Sequence, residues 1–571
     1  VAANPRTITT LLNEKPSPGN LSATEQIVEL NNRAVSKIFV AWEPVQGVKQ
    51  YLLEFQYEND NPERLRIARP SFELFESRLG TYKFAVKSVN TLGKLSSGTS
   101  LLTFNAEGKT ALPADVQNVQ IEPLSDQFIR LRFDKSTDVD VIHGGNVIIR
   151  GSNLTTGASF TDSVDVIPEL SGNVNEAIVP NIDNGTYFLA FRDDGGRISA
   201  NAASIKNIST EPDVFPKLTV LTDREDTDST PFNGAKVGCF FDSSLNGLVL
   251  GSENSIDGVS DFDGIENLDL LDNSVLTINT YSFANTLDLG GKHPLILKRH
   301  LVSKGFYKNQ LFDDRSANID TWTDFNGTTV AVDVNAKLLV AVTDSDPDTS
   351  TSGTYTINDG SGGAGRIITI TKASHGYSVG SFVAVDFTSG TGDDSDYEIQ
   401  SITNNTFVLT SETDLNTSGD CNFSAEFSQF NPFINGKYIA RGFKFRCDLF
   451  TKDIAQSIEI EQLGYTAKIE SRTETSLGNA GASAGGFIAS GTSTKSVTFT
   501  NSFFTGQSGT SVAANSVLPS IGITIENQSQ GDFFVLSNIT GSGFDIDVKD
   551  SNGNNVNRNF KYAATGFGRG S

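Results

Sequence analysis

The fold is decided by residues 38–45, IFVAWEPV, and by two alternating runs that follow them. In residues 51–57, YLLEFQY, the large apolar side chains recur at every second position, which is the period of a β-strand. Residues 82–90, YKFAVKSVN, alternate in the same way and end in a turn around Gly93. Three such runs, with one Trp on the first and a Tyr opening the last, predict a small antiparallel sandwich that buries Trp42 between its sheets.

The order of these residues resembles a fibronectin type III domain. The resemblance rests on the WEPV of residues 42–45, the strand at Tyr51, and the pattern Y-x-F-x-V-x-x-V-N-x-x-G-x-x-S at residues 82–96. It implies an all-β fold, and such modules usually serve as spacers or binding platforms.

The whole chain has the composition of several β-domains. Its 571 residues exceed what one core supports and predict roughly three to five domains. Sustained 3.6-residue periodicity is almost missing, and 52 Gly with 39 Phe indicate tight turns between short strands with Phe-rich cores. A net charge of -24 argues against a nucleic-acid partner. No apolar run approaches the length of a membrane span.

Three cysteines at wide spacing, Cys239, Cys421 and Cys447, argue against a zinc site or a disulfide framework and favour buried thiols. The first residue is Val1 and there is no Met, so we expect a processed product or part of a longer polypeptide.

The predicted organisation is all-β: serial β-sandwich modules comprising two fibronectin type III-like domains, one jelly-roll-like sandwich with a small β insertion, and one C-terminal β domain. The predicted bounds are a linker at 1–30, a fibronectin type III domain at 31–105, a divergent one at 114–212, the sandwich at 213–345 and 425–472, the insertion at 346–424, a flexible joint at 473–490, and the C-terminal domain at 491–571. The second domain lacks the Trp but repeats the ending Gly-x-x-Ser at residues 196–199.

Two later segments resemble proteins of long-tailed phages. The HGYSVG of residues 375–380 is similar to small "His-Gly-x-x-x-Gly" β-modules of phage tail and baseplate proteins, and the closing FKYAATGFG of residues 560–568 is similar to the terminal domain of tail-tip proteins and fibres. With the module order, they resemble the C-terminal half of lambda-type host-specificity (tip attachment) proteins. The resemblance implies a homotrimer at the distal end of the tail in the virion, joined to other tail-tip proteins upstream and contacting a host receptor that is a protein or a glycan.

Candidate contact residues are few. Trp322 in an Asp-rich loop, Phe503 and Phe504 are nominated as receptor-contact aromatics, with burial in the core as the competing interpretation. His375 precedes Gly376 in a turn and is expected to have a structural role. Acidic clusters at 223–228, 257–263 and 393–396 could hold calcium, but none has EF-hand spacing, so solvated loops are the favoured interpretation.

No motif of an established enzyme class is present: there is no Gly-x-Ser-x-Gly, His-Glu-x-x-His, phosphate-binding loop or dinucleotide fingerprint. We therefore expect a protein without catalytic residues, cofactor or metal. The alternative is a secreted or surface bacterial polysaccharide-binding protein or depolymerase with fibronectin-like spacers. A signal peptide in an upstream segment would favour that alternative, and a tail-hub domain there would favour the phage interpretation.

Overall fold

The computed structural model describes residues 14–125, 127–208, 216–250, 279–307, 334–358, 366–411, 417–451 and 456–568. Within these ranges, 38 strands, one short α-helix and one 3₁₀ turn account for the regular structure. The strands form several separate sheets stacked as sandwiches, each with its own apolar core. The predicted fold class, all-β with serial sandwich modules, is confirmed.

The first unit is a fibronectin type III-like sandwich. Its strands are β1 (Ser22–Leu30), β2 (Arg33–Ala41), β3 (Val48–Tyr57), β4 (Glu63–Ile67), β5 (Ser71–Phe75), β6 (Gly80–Asn90) and β7 (Ser100–Ala106). One sheet has the order β1-β2-β5 and the other β4-β3-β6-β7. Trp42 is buried between them and meets Tyr51 edge-on at 5.3 Å, as predicted. Strand β1 pairs with β2 along its whole length, so the predicted linker at 1–30 already contains the first strand of the domain.

The second unit repeats this division into two sheets. Its elements are β8 (Gln120–Pro123), β9 (Phe128–Arg132), α1 (Val139–Ile142), β10 (Asn146–Ser152), β11 (Val164–Asp165), β12 (Leu170–Ser171), β13 (Glu176–Pro180), β14 (Gly185–Arg192) and β15 (Ala203–Asn207). One sheet has the order β13-β9-β8, and the other has the order β11-β10-β14-β15 with β12 on β10.

Both units contain the same tyrosine contact, near the start of β6 in the first unit and of β14 in the second. The Tyr82 hydroxyl accepts a hydrogen bond from the Arg78 amide at 2.7 Å. The Tyr187 hydroxyl accepts from the Ile182 amide at 2.6 Å and donates to the Pro180 carbonyl at 2.7 Å. A tyrosine that ties its strand back to the preceding connection is typical of such sandwiches. The second unit therefore keeps a device of this fold although it lacks the Trp.

The third unit is a larger sandwich that is interrupted by the insertion. Its first elements are β16 (Lys217–Arg224), the 3₁₀ turn Glu225–Thr227, β17 (Ala235–Val237), β18 (Cys239–Asp242), β19 (Gly247–Leu250), β20 (Asn279–Ser282), β21 (Leu287–Tyr307) and β22 (Val334–Thr343).

The insertion forms its own sheet between two strands of that sandwich. Its strands are β23 (Thr351–Asn358), β24 (Arg366–Thr371), β25 (Phe382–Phe387), β26 (Ser395–Glu398), β27 (Ser401–Ile402), β28 (Thr406–Ser411) and β29 (Thr417–Phe423). They are ordered β26-β25-β29-β23-β24-β28-β27 around a separate core.

The sandwich then resumes with β30 (Asn431–Pro432), β31 (Gly436–Thr451) and β32 (Gln456–Thr475). The strands of its sheet follow the order β17-β20-β31-β21-β32-β19-β18. In addition, β16 pairs with β32, and β22 pairs with β30 and β31. The long strands β21 and β32 pair over residues 296–307 and 456–468, so one long ladder, with a single register shift between Val302 and Ser303, runs through the unit.

The C-terminal unit grows from the end of this ladder. Its strands are β33 (Ile488–Ala489), β34 (Lys495–Thr498), β35 (Ser520–Glu526), β36 (Phe533–Ser537), β37 (Gly543–Lys549) and β38 (Asn559–Phe567). Strand β38 pairs with β32 over residues 471–475, so the two units share one sheet. This pairing and the turns after it correct the predicted flexible joint at 473–490. In these turns, the Ser476 amide donates to the Tyr562 carbonyl, and the Ala482 amide donates to the Asn479 carbonyl.

The second and third units meet around a buried guanidinium. Arg150 on β10 is fully buried, and it donates to the carbonyls of Phe160 at 3.1 Å and Val334 at 2.8 Å. Its Nε lies 3.3 Å from a carboxylate oxygen of Asp165, which also accepts from the Asn335 amide group at 2.9 Å. A buried charge with these partners fixes the two units to each other.

Candidate functional sites

The predicted contact aromatics are not at the surface where the structure describes them. Trp322 lies outside the described residues. Phe503 is 3% exposed and Phe504 is 1% exposed, so the nomination of both as receptor contacts is corrected. The physical reason is strand-like alternation: neighbouring side chains point to opposite sides. Phe503 enters the core of the C-terminal unit and Phe504 enters the core of the sandwich.

These two phenylalanines hold the junction of the last two units. The Arg472 guanidinium lies 3.8 Å from the ring centre of Phe503, and Phe499 meets that ring edge-on at 5.0 Å. His293 meets the Phe504 ring edge-on at 5.6 Å. Burial, with a further contribution from the Arg472 charge, lowers the pKa of His293 from 6.5 to about 4. Phe503 and Phe504 therefore pack the junction of the last two units together with the neutral side chain of His293.

An open cleft of about 790 Å³ lies between the sandwich and the insertion. Phe382, from the insertion, and Phe430, from the connection back to the sandwich, meet edge-on in its wall at 5.0 Å. The Arg446 guanidinium of β31 lies 4.5 Å from the ring centre of Phe430. The Lys444 ammonium group pairs with Asp396 at 2.5 Å across the two units. The cleft thus combines half-buried aromatic faces with charged groups of both signs.

The acidic run at 393–396 lines this cleft: Asp393 and Asp394 are exposed to solvent, as expected, and Asp396 is half-buried. Asp394 accepts a hydrogen bond from the Phe387 amide at 2.7 Å, and Asp396 is the partner of Lys444. Asp386 is exposed at the rim. The side chains of this wall can offer hydrogen bonds to a polar ligand whose apolar face rests on phenylalanine, which is the combination that sugars require. Sequence reasoning did not find the cleft because its two walls are far apart in the chain.

A second group of carboxylates comes together at the end of β16. Asp223, Glu225 and Asp228 each place one oxygen within 4.8 Å of the others. Glu225 is fully buried and Asp223 is 7% exposed, so the expectation of a solvated loop at 223–228 is corrected for these two. The reason is the antiparallel pairing of β16 with β32, which places Asp223 opposite Tyr465. The alternation of β16 turns Asp223 inward and leaves the next residue on the other side.

The electrostatics of this cluster are unfavourable for three charges. Burial raises the pKa of Glu225 to about 7; a hydrogen bond from Tyr281 opposes the shift, and the charges of Asp223 and Asp228 add to it. Burial also raises the pKa of Asp223, with a further contribution from Asp228. Among the described residues, no lysine or arginine forms an ion pair with any of the three.

A third acidic group already has its positive charge. Asp288, Asp346 and Asp348 place oxygens within 4.8 Å of one another, and Arg441 pairs with Asp288 at 3.0 Å and with Asp346 at 2.8 Å. The run at 257–263 lies outside the described residues.

The remaining candidate residues have structural surroundings. His375 Nε2 lies 2.7 Å from the Thr403 carbonyl, and its Nδ1 accepts from the Tyr377 amide at 3.0 Å, so the ring ties two turns together as expected. His143 lies 3.6 Å from Glu29 of the first unit. All three cysteines are buried free thiols, as predicted. In the described part of the chain, no helix has the length and apolar character that crossing a bilayer requires.

Comparisons with known proteins find similarity in fold only. No family model matches the sequence, and a search of curated proteins finds no match. Among solved structures, a two fibronectin type III domain segment of chicken tenascin aligns at 12% identity and a TM-score of 0.20, covering 34% of this chain and 99% of that one. The FN1–FN3 domains of chicken CNTN1 align at 15% identity and a TM-score of 0.16, covering 34% of this chain and 69% of that one.

Proposed function

We propose that this chain is a structural protein of a phage tail tip, which positions its distal β-domains for host receptor recognition and adsorption. In this proposal it acts without catalysis or cofactor, at the distal end of the tail in the virion. Its partners are two further copies of the chain, other tail-tip proteins upstream, and a host surface protein or glycan. The HGYSVG and FKYAATGFG segments support this assignment by resemblance.

The observation that carries the proposal is that the second, third and C-terminal units are joined through buried contacts. Strand β32 belongs to both the sandwich and the C-terminal unit, and Phe503 and Phe504 enter one core each. Arg150 bridges the second and third units from a fully buried position. A protein whose role is to hold loops in place needs such junctions, because loops vary freely only on a rigid scaffold. Trimer symmetry would repeat each contact and raise avidity.

The cleft beside the insertion is the surface that we propose for ligand contact. Phe430 supplies an aromatic face, and the carboxylates around Asp386 supply acceptors for hydroxyl groups. These features favour a glycan over an apolar peptide. They also favour the alternative function, a bacterial polysaccharide-binding protein or depolymerase.

The first test is the mass of the purified chain by light scattering. The proposal expects about three times the monomer mass of 61.3 kDa. A monomer that cleaves surface polysaccharide would instead favour the depolymerase. A monomer that neither adsorbs to any bacterium in a panel nor binds its glycans would contradict both functions.

The second test addresses the cleft. We expect Phe430→Ala to weaken binding to a surface glycan by at least about tenfold, because a contact that dominates an interface costs about 2 kcal/mol or more when it is truncated. The matched control is Phe533→Ala, which removes a side chain that is 44% exposed on β36. Equal affinity of the two variants would exclude the cleft as the binding surface.

A further inference from the structure

The acidic cluster at the end of β16 has the geometry of a cation site. Two oxygens that ligate one calcium ion at roughly 2.3–2.6 Å lie at most about 5 Å apart. The ligand oxygens of Asp223, Glu225 and Asp228 satisfy this limit, since all lie within 4.8 Å of one another. Asp228 follows the 3₁₀ turn and is only partly buried, so the cluster has a path to solvent.

A second observation is that buried oxygen atoms at this place have no partner. Asp223 Oδ2 and Glu225 Oε1 are buried and have no hydrogen-bond partner in good geometry among the described residues, and the same holds for the Tyr465 hydroxyl, although that hydroxyl faces Asp223. Glu225 is fully buried, and its other oxygen accepts from the Tyr281 hydroxyl. Unpaired buried oxygens are costly, and each such atom in a native protein requires an explanation.

The third acidic group of the same unit shows how this chain balances carboxylates elsewhere. Asp288 and Asp346 receive a positive charge from Arg441. The nearest arginine to the β16 cluster, Arg224, is instead held by Asp226 through two hydrogen bonds of 3.1 and 3.0 Å. The β16 cluster therefore contains three acidic groups and unpaired buried oxygens, and no lysine or arginine of the described ranges forms an ion pair with it.

We propose that Asp223, Glu225 and Asp228 bind one calcium ion. The ligands are all oxygens, which suits a hard cation, and their spread along one turn gives the adaptable geometry that calcium accepts and magnesium does not. The ion would pin the end of β16 and its 3₁₀ turn to the sandwich, because Tyr281 of β20 and Tyr465 of β32 face the same carboxylates. This site does not depend on the proposed function, since it concerns stability and ion affinity of the chain alone.

The test is calorimetric titration of the purified, EDTA-treated full chain with CaCl₂. We expect one calcium ion per chain at this site. Asp228→Asn should weaken the affinity at least about tenfold, because it removes one charged ligand from a partly exposed position. Asp348→Asn is the matched control in the third acidic group, and it should leave the affinity unchanged. An affinity that is unchanged in Asp228→Asn, or that is weakened in Asp348→Asn, would overturn the proposal.

Thermal unfolding provides an independent readout. Calcium should raise the melting temperature of the wild-type chain, as any ligand of the folded state does. Glu225→Gln should melt higher than the wild type in EDTA, because it removes a buried uncompensated charge, and should no longer respond to calcium. A wild-type chain that does not respond to calcium, or that responds equally to MgCl₂, would refute the calcium site. Carboxyl protonation would then be the explanation for the cluster.

Discussion

Replacement of Arg150 by Met tests whether the second and third units are joined as the contacts indicate. Each hydrogen bond from a charged donor contributes about 1.5–3 kcal/mol, and Arg150 donates to the carbonyls of Phe160 and Val334. The substitution also removes the ion pair with Asp165. That carboxylate keeps Asn335 as a donor and is 29% exposed, so it is not stranded. We therefore expect Arg150→Met to reduce the free energy that stabilises this junction by about 3–5 kcal/mol.

The matched control for this change is Arg132→Met in the neighbouring sheet of the same unit. Arg132 is 53% exposed and lies 3.2 Å from Glu122 and 3.7 Å from Glu176. Exposed ion pairs contribute at most about 1 kcal/mol, because water screens the charges and both side chains lose entropy. The two variants lose the same charge and differ mainly in burial, so their difference isolates the buried contacts.

Hydrogen exchange is the suitable assay, because a chain of several units does not unfold in two states. The loss of 3–5 kcal/mol should reduce amide protection in β10 and β22 by about 10²- to 10³-fold or more, since about 1.4 kcal/mol corresponds to a factor of ten. The first unit should keep its protection, because Phe160, Val334 and Asp165, the partners of Arg150 described above, all lie outside it. If Arg150→Met and Arg132→Met give the same protection in β10 and β22, the buried guanidinium does not hold the junction and the reasoning is refuted.

Two further perturbations test single buried side chains, Tyr187 and His293. Tyr187→Phe removes the partner of both the Ile182 amide and the Pro180 carbonyl, so it should destabilise its unit by about 2–4 kcal/mol, whereas Tyr82→Phe should cost about 1–3 kcal/mol because one amide is affected; equal thermal shifts would contradict this. The folded chain lowers the pKa of His293 to about 4, and unfolding restores it to about 6.5. The unfolded chain therefore binds the proton first, so the contribution of neutral His293 to the free energy of unfolding is fully present above pH 6.5 and is lost as the pH falls towards 4. His293→Gln should flatten this slope in melting temperatures measured from pH 4 to 7, and an unchanged slope would exclude the histidine as its cause.

The positions of the strands could be predicted because alternation is local. Residues 51–57 and 82–90 form β3 and β6 with the expected side chains buried, and the second unit follows the same plan without its Trp. The boundaries of the strands and units were harder to predict from the sequence. Residues 22–30 carry mixed polar side chains that are only half-buried, so they resemble a linker until β2 pairs with them. The small residues of 473–490 suggest flexibility, and only the pairing with β38 shows that both ends of this segment, at 473–475 and 488–489, belong to a sheet.

The sites depended still more on long-range pairing. The sequence by itself determined that the chain is built from all-β units, that its cysteines are buried, and that His375 sits in a turn, because each property follows from residue type and near neighbours. Only the tertiary structure decided that Phe503 and Phe504 face two different cores and that Lys444 meets Asp396 across a cleft. It also decided that Asp223 and Glu225 are buried, since that burial comes from strands β20 and β32, which follow them far along the chain. A run of acidic residues is expected to form a solvated loop, and only strands that are distant in sequence can bury it by packing against it.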